Sequence, residues 1–270
     1  MPIETTMPIE PDRQGRLLAI TGGHRFDLDA FIAMLDDVCL QLGWEWEHAA
    51  QPAAQRLLRP EHAGEWDAIV LHDLPGLTLA RGEEPTPHGP TADVRAGLLG
   101  MLAAGQGIVA THHALAGWPA WDEWAEVLGG RFCYSPGTLR GQAVPASGYR
   151  MDTYRVDVAD PRHPVTDGVE SFEVTDELYL CPVLADEVTP LLCTTADTSP
   201  ETMIDTYREV CSGEQVAATN QPSSPLLGWA RDHRASRVVY LLPGHTATTM
   251  GHPMYRRLLA NACAFVATSC

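Results

Sequence analysis

The chain has 270 residues, 45% of them apolar, enough for a large core in either one big α/β unit or two small ones. A formal net charge of -17, with arginine as the sole basic residue type besides histidine, excludes a nucleic-acid partner, which needs clustered positive charge. No apolar run approaches the ~18 residues of a membrane span and no leader opens the chain, so no membrane partner and a cytoplasmic location are expected.

Residues 1–15 write Met-Pro-Ile-Glu twice and read as a flexible tail, which leaves 16–268 as one domain. Arg16 to Thr21 is the first expected strand. Asp27 then caps a helix through Leu42, with Phe31, Leu35, Val38 and Leu42 on one stripe and Gly43 as its stop. Trp44 to His48 and Trp66 to Asp73 are the next strands, separated by a short helix-like stretch. This β-α-β-α-β order predicts a parallel sheet with right-handed crossovers.

Residues 80–92 are rich in Pro and Gly and form a long loop, expected as a lid or rim. Asp93 to Ala104 is a helix, Ile108 to Thr111 a strand, and Pro119 to Leu128 a helix whose Trp121 and Trp124 read as core. Beyond Tyr149 the texture turns to strands, at Met151 to Val158, Val169 to Val174 and Val188 to Thr194, then a hairpin of Pro225 to Ala230 with Val238 to Leu242. A final helix runs from about Pro253 to Ala267. The seven cysteines (Cys39, Cys133, Cys181, Cys193, Cys211, Cys263 and Cys270) form no Cys-x-x-Cys pair and read as reduced thiols.

One pattern recurs along the chain: a short apolar run followed by histidine. It occurs at His24, at His72, at His112-His113 and at His245. Parallel strands gather their carboxyl ends at one sheet edge, where open α/β sheets bind ligands. A shared polar cleft holding His24, His72 and His112 or His113 is therefore expected there. Trp118, beside the histidine pair, is the candidate stacking ring for a sugar.

The strings His112-His113-Ala114, Gly129-Gly130-Arg131-Phe132, His163-Pro164-Val165-Thr166-Asp167-Gly168, Asp176-Glu177-Leu178-Tyr179 and Pro243-Gly244-His245 together resemble the ThuA-like (trehalose utilisation) family over roughly 16–268. The resemblance implies a flavodoxin-like, doubly wound, mostly parallel sheet of the class I glutamine amidotransferase type, with a β-rich insertion. It also implies links to disaccharide and keto-sugar metabolism, and matching site positions at His24, His112, His113, Glu177 and His245. Cys-dependent amidotransfer is not expected, because Thr111-His112-His113 stands where that chemistry needs a thiolate. Pro243-Gly244-His245-Thr246 also departs from the aromatic-rich Gly-His-Gly form of some relatives.

Two functions follow. The first is an enzyme, a hydrolase or isomerase of a sugar or oxidised (keto) sugar derivative, with His112, His113, Glu177 and His24 as catalytic groups and His72, Trp118, Tyr179 and His245 binding substrate. A divalent metal such as zinc, on His24, His112 and His245, is its candidate cofactor. A proton-transfer role for Glu177 requires a pKa raised by partial burial. The alternative is a non-catalytic sugar-binding or assembly protein on the same fold. Convergence of the histidine nitrogens on one point discriminates between the two. Substrate, metal and any homo-oligomer are left open by the sequence.

Overall fold

A computed structural model describes residues 14–219 and 223–267; the expected tail falls mostly outside them. In chain order the strands are β1 (Arg16–Gly22), β2 (Glu45–Ala50), β3 (Ala68–Asp73), β4 (Leu77–Thr78), β5 (Thr86–Pro87), β6 (Ile108–Thr111), β7 (Gly137–Leu139), β8 (Gln142–Val144), β9 (Gly148–Val158), β10 (Phe172–Leu180), β11 (Thr189–Cys193), β12 (Ile204–Asp205), β13 (Leu226–His233) and β14 (Ser236–Leu241). The helices are α1 (Leu28–Leu42), α2 (Ala92–Ala103), α3 (Glu123–Leu128), α4 (Thr206–Ser212), α5 (Ala247–Met250) and α6 (Pro253–Ala267).

The main sheet runs β10-β9-β11-β13-β14-β6-β3-β1-β2, with β12 added on β9. Its half from β14 to β2 is parallel throughout. Counting those five strands along the chain, the order is 2-1-3-4-5, that of a flavodoxin-like doubly wound sheet. The other half is antiparallel and comes from the β-rich segment between α3 and β14. Central strands are buried on both faces: all six residues of β3 and all four of β6 are buried, as the unbroken apolar runs require.

Local chemistry sets the element ends. The Asp27 side chain accepts the Ala30 amide hydrogen at the start of α1, and Gly43, at φ 68°, closes it in the left-handed conformation. Phe31, Met34, Leu35, Val38 and Cys39 form its buried face, and α1 packs against α6. α3 starts at Glu123, later than the expected Pro119, because Trp118 takes φ 48° and its amide donates to the Pro75 carbonyl, turning the chain first. The strand expected at Val169–Val174 begins at Phe172 and runs on as β10 through Leu180, so Glu177 lies inside a strand.

Candidate functional site

β6 ends at Thr111, and the chain turns sharply into a single 3-10 turn, His112–Ala116. His112 takes φ 47°, a left-handed conformation that costs a non-glycine residue energy and persists where surroundings over-determine it. Those surroundings are visible. The Tyr240 hydroxyl donates to the His112 carbonyl at 3.0 Å, and His112 Nδ1 donates to the Leu242 carbonyl at 2.8 Å. With Nδ1 carrying the proton, Nε2 presents a lone pair to the site.

Around that nitrogen stand three further groups. His245 Nδ1 lies 3.1 Å from it, Glu177 Oε2 3.2 Å and the Tyr179 hydroxyl 2.8 Å. His113 places Nδ1 3.2 Å from the same hydroxyl and Nε2 3.3 Å from His245 Nδ1. Donation from His113 Nδ1 to the phenol oxygen leaves its Nε2 as another acceptor facing inward. His112, His113, Glu177 and His245 thus converge, each with one ligand atom within 4.8 Å of the others.

The chemistry of this donor set fits a divalent cation. Ligand atoms ~2.0–2.2 Å from a tetrahedral zinc stand roughly 3.3–3.6 Å apart; the nearest pairs here stand 3.1–3.3 Å apart, and the widest reach 4.8 Å. Lone pairs and a carboxylate aimed at one another also need a positive centre between them. Burial holds the His113 imidazole well below its usual pKa, aided by neighbouring His112 and His24. His245 is lowered as well, chiefly by burial, against the opposing pull of Glu177. Burial pushes the Glu177 carboxyl up, but its close approach to His112 and His245 outweighs that, so its pKa is lowered. The raised pKa expected for Glu177 is corrected by that partnership; the group is an ionised carboxylate, 13% exposed.

Asp176, one residue earlier and fully buried, is a positioning group that the sequence reading did not single out. Its carboxylate accepts amide hydrogens from Gly244 at 3.1 Å, His245 at 3.1 Å and Thr246 at 3.4 Å, and also from Glu177 at 2.7 Å. Gly244, at φ 135°, lets the chain turn tightly enough for three successive amides to face one carboxylate; a Cβ there would lie 2.5 Å from the Tyr255 hydroxyl. Its position directly before Glu177 in the acidic string was the available signal.

A cleft of about 210 Å³ opens from this cluster, lined in part by His24, His113, Glu177 and Tyr179. His24 sits over His113, ring centroids 3.6 Å apart, at the end of β1. It stands outside the four-residue ligand set, in which His113 and Glu177 appear in its place. Its Nδ1 donates to the Arg25 carbonyl at 2.7 Å, leaving Nε2 free as a base, and burial lowers its pKa.

The structure does not bring the other two expected contacts into the cleft. His72 belongs to β3 itself, 5% exposed, stacked on Phe31 at 5.0 Å and bonded through Nδ1 to the Thr111 hydroxyl at 2.9 Å. Burial, with the fields of His112, His24 and His245, pushes its pKa down to about 3. Trp118 is 4% exposed and packs over Gly76 in the core. Residues 80–92 do not themselves line the cleft; the preceding Leu79 does, and the loop is tied to the cleft-lining helix α4, the Gly82 amide donating to Val210 at 3.0 Å and the Tyr207 hydroxyl to Glu84 at 2.7 Å.

Among the described residues no helix is long and apolar enough to cross a membrane. No curated protein matches the chain in sequence. Among solved structures, a ThuA-like protein from Parabacteroides merdae ATCC 43184 is similar at TM-score 0.64 and 17% identity, over 95% of this chain and 91% of the other. A ThuA-like protein from Bacteroides uniformis ATCC 8492 gives TM-score 0.62 and 18% identity, over 96% and 95%. The carbohydrate deacetylase Agd3 gives TM-score 0.53 and 10% identity, over 93% of this chain but 32% of its own. At these identities the likenesses show the fold. The ThuA family, described as trehalose utilisation, matches residues 19–266, and the chain belongs to that family.

Proposed function

We propose that this protein is an enzyme of carbohydrate metabolism that acts on a sugar or oxidised (keto) sugar derivative, through a divalent-cation centre such as zinc held by His112, His113, Glu177 and His245. The observation that carries the proposal is the convergence of three imidazoles and one ionised carboxylate beside an accessible cleft. A module that only binds sugar has no need of such a set, so the convergence favours the catalytic reading. The family description and the carbohydrate deacetylase on a similar fold support a sugar as the substrate.

A cation bound there would supply Lewis acidity and, where one of the four groups yields its position or the coordination expands to five, a water acidic enough to ionise near neutral pH. The chain's own residues divide the remaining work. Asp176 fixes the turn that carries His245, while the Leu242 carbonyl and Tyr179 hydroxyl fix the faces that His112 and His113 present. His24, neutral at pH 7 with Nε2 unprotonated, is the group placed to accept a proton from substrate or water in a hydrolysis or enolisation. The aromatic rings of Phe132, Tyr134 and Tyr179 help close the cleft against water.

Calorimetric titration of the purified chain with zinc, followed by assay of sugars and 3-keto-sugars with and without chelator, tests the proposal. One tight zinc equivalent, and turnover abolished by chelator, are expected. Turnover indifferent to chelator would remove the cation, and a complete lack of turnover and binding across the panel would remove the sugar.

A further inference from the structure

The wall of the cleft formed by α4 carries a second set of polar groups that the cluster does not use. Thr206 and Glu209 are three residues apart on this helix, hence neighbours on its surface, and both line the cleft. Thr206 is 3% exposed, and its buried hydroxyl has no hydrogen-bond partner in the protein. A buried hydroxyl left unpaired is costly unless a ligand completes it.

Glu209 is held in place rather than free. The Tyr149 hydroxyl donates to Oε2, and Gln215 Nε2 donates to Oε1 at 3.0 Å. Each oxygen keeps acceptor capacity for a further donor. No arginine lines the cleft, and the chain contains no lysine. An anionic group seated against α4 would meet the Glu209 carboxylate with no arginine or lysine beside it, whereas the cation proposed above belongs to the His112, His113, Glu177 and His245 cluster. Hydroxyl groups fit instead, because an oriented carboxylate and an unpaired threonine hydroxyl are hydrogen-bonding partners for a polyol. Leu79, Val210 and the Phe132 and Tyr134 rings supply apolar surface for its C–H faces.

We propose that Thr206 and Glu209 form a hydroxyl-binding wall that selects an uncharged sugar residue and rejects phosphorylated and carboxylated ones. The proposal rests on the sugar reading above. It adds specificity residues from α4, a helix tied to the 80–92 loop through Gly82 and Glu84.

The test is a ligand-observed NMR titration of the full chain with glucose, glucose 6-phosphate and glucuronate, repeated on Glu209→Gln, Thr206→Val and Thr206→Ser. Glucose is expected to bind at least ~10-fold more tightly than either anion, consistent with the weight of an unpaired buried polar contact. Glu209→Gln is expected to weaken glucose and narrow the gap to the anions. Thr206→Val should weaken glucose and Thr206→Ser restore it, with zinc binding unchanged in all three variants. Anions binding as tightly as glucose, or unchanged glucose affinity in both Glu209→Gln and Thr206→Val, would overturn the wall. Turnover of a neutral keto-sugar with KM unmoved by Glu209→Gln would overturn it too, and would leave the sugar reading standing. If no sugar binds at all, the sugar reading itself fails and the wall with it.

Discussion

Asp176 Oδ1 accepts the amide hydrogen of His245 at 3.1 Å, so a carboxylate buried in β10 determines where an imidazole leaves the end of β14. The antiparallel half of the sheet thereby positions an imidazole contributed by the parallel half. Asp176→Asn puts an NH₂ against amide hydrogens that now meet oxygen. A stability loss of about 1.5–3 kcal/mol is expected, the range for hydrogen bonds to a charged group. Zinc affinity should fall about 10–100-fold, as when a supporting partner of a ligand is removed. Denaturant unfolding and zinc titration of the same variant measure both; an unchanged zinc affinity would deny Asp176 its positioning role.

Glu177→Gln keeps the size of the side chain and removes the charge facing His112 at 3.2 Å. Turnover is expected to fall ~10²-fold or more with the fold retained, the scale of a lost acid, base or ligand group. Circular dichroism with steady-state kinetics checks it, and full activity in a folded variant would take Glu177 out of the chemistry.

His24, His113 and His245 all have pKa values lowered by burial. The neutral forms that bind a cation or accept a proton therefore persist below the ordinary imidazole value. The acid limb of kcat/KM should lie below pH 6.5, and a limb at or above 6.5 would mean that these rings are not the groups being titrated.

Asp73, 3% exposed, has its pKa raised to about 7 by burial, opposed by the hydrogen bond from Gln51 at 2.8 Å. A folded pKa above the unfolded value near 3.9 means the native state holds the proton longer. Its contribution is full below about pH 4 and is lost as pH rises towards 7, at up to about 1.4 kcal/mol per unit. Asp73→Asn removes that loss. Relative to wild type, the variant should gain stability steadily between pH 4 and 7 in urea unfolding, and a difference independent of pH would show that Asp73 ionises normally.

The parallel core was legible because its signals are local. Asp27 and Gly43 bracket α1, and the apolar runs of β1, β3 and β6 need no partner information to be read as buried strands. The histidines at strand ends were legible for the same reason, and the 2-1-3-4-5 order brings His24, His112, His113 and His245 to one edge. What was hidden depends on direction and distance. His72 follows its apolar run without a turn residue between, so it continues the strand and turns its ring between Phe26 and Phe31. Trp118 is swung into the core by a positive φ that no residue type announces. Asp176, Thr206 and Glu209 reach the site through antiparallel pairings and a short helix, whose register the sequence alone does not specify.

The cation centre is tested most directly by anomalous diffraction at the zinc absorption edge, from crystals grown with one equivalent of zinc. A single strong peak is predicted at about 2.0–2.2 Å from nitrogen atoms of His112, His113 and His245 and from a Glu177 oxygen. A cluster that stays without a peak, or a zinc seated elsewhere on the protein, would contradict it.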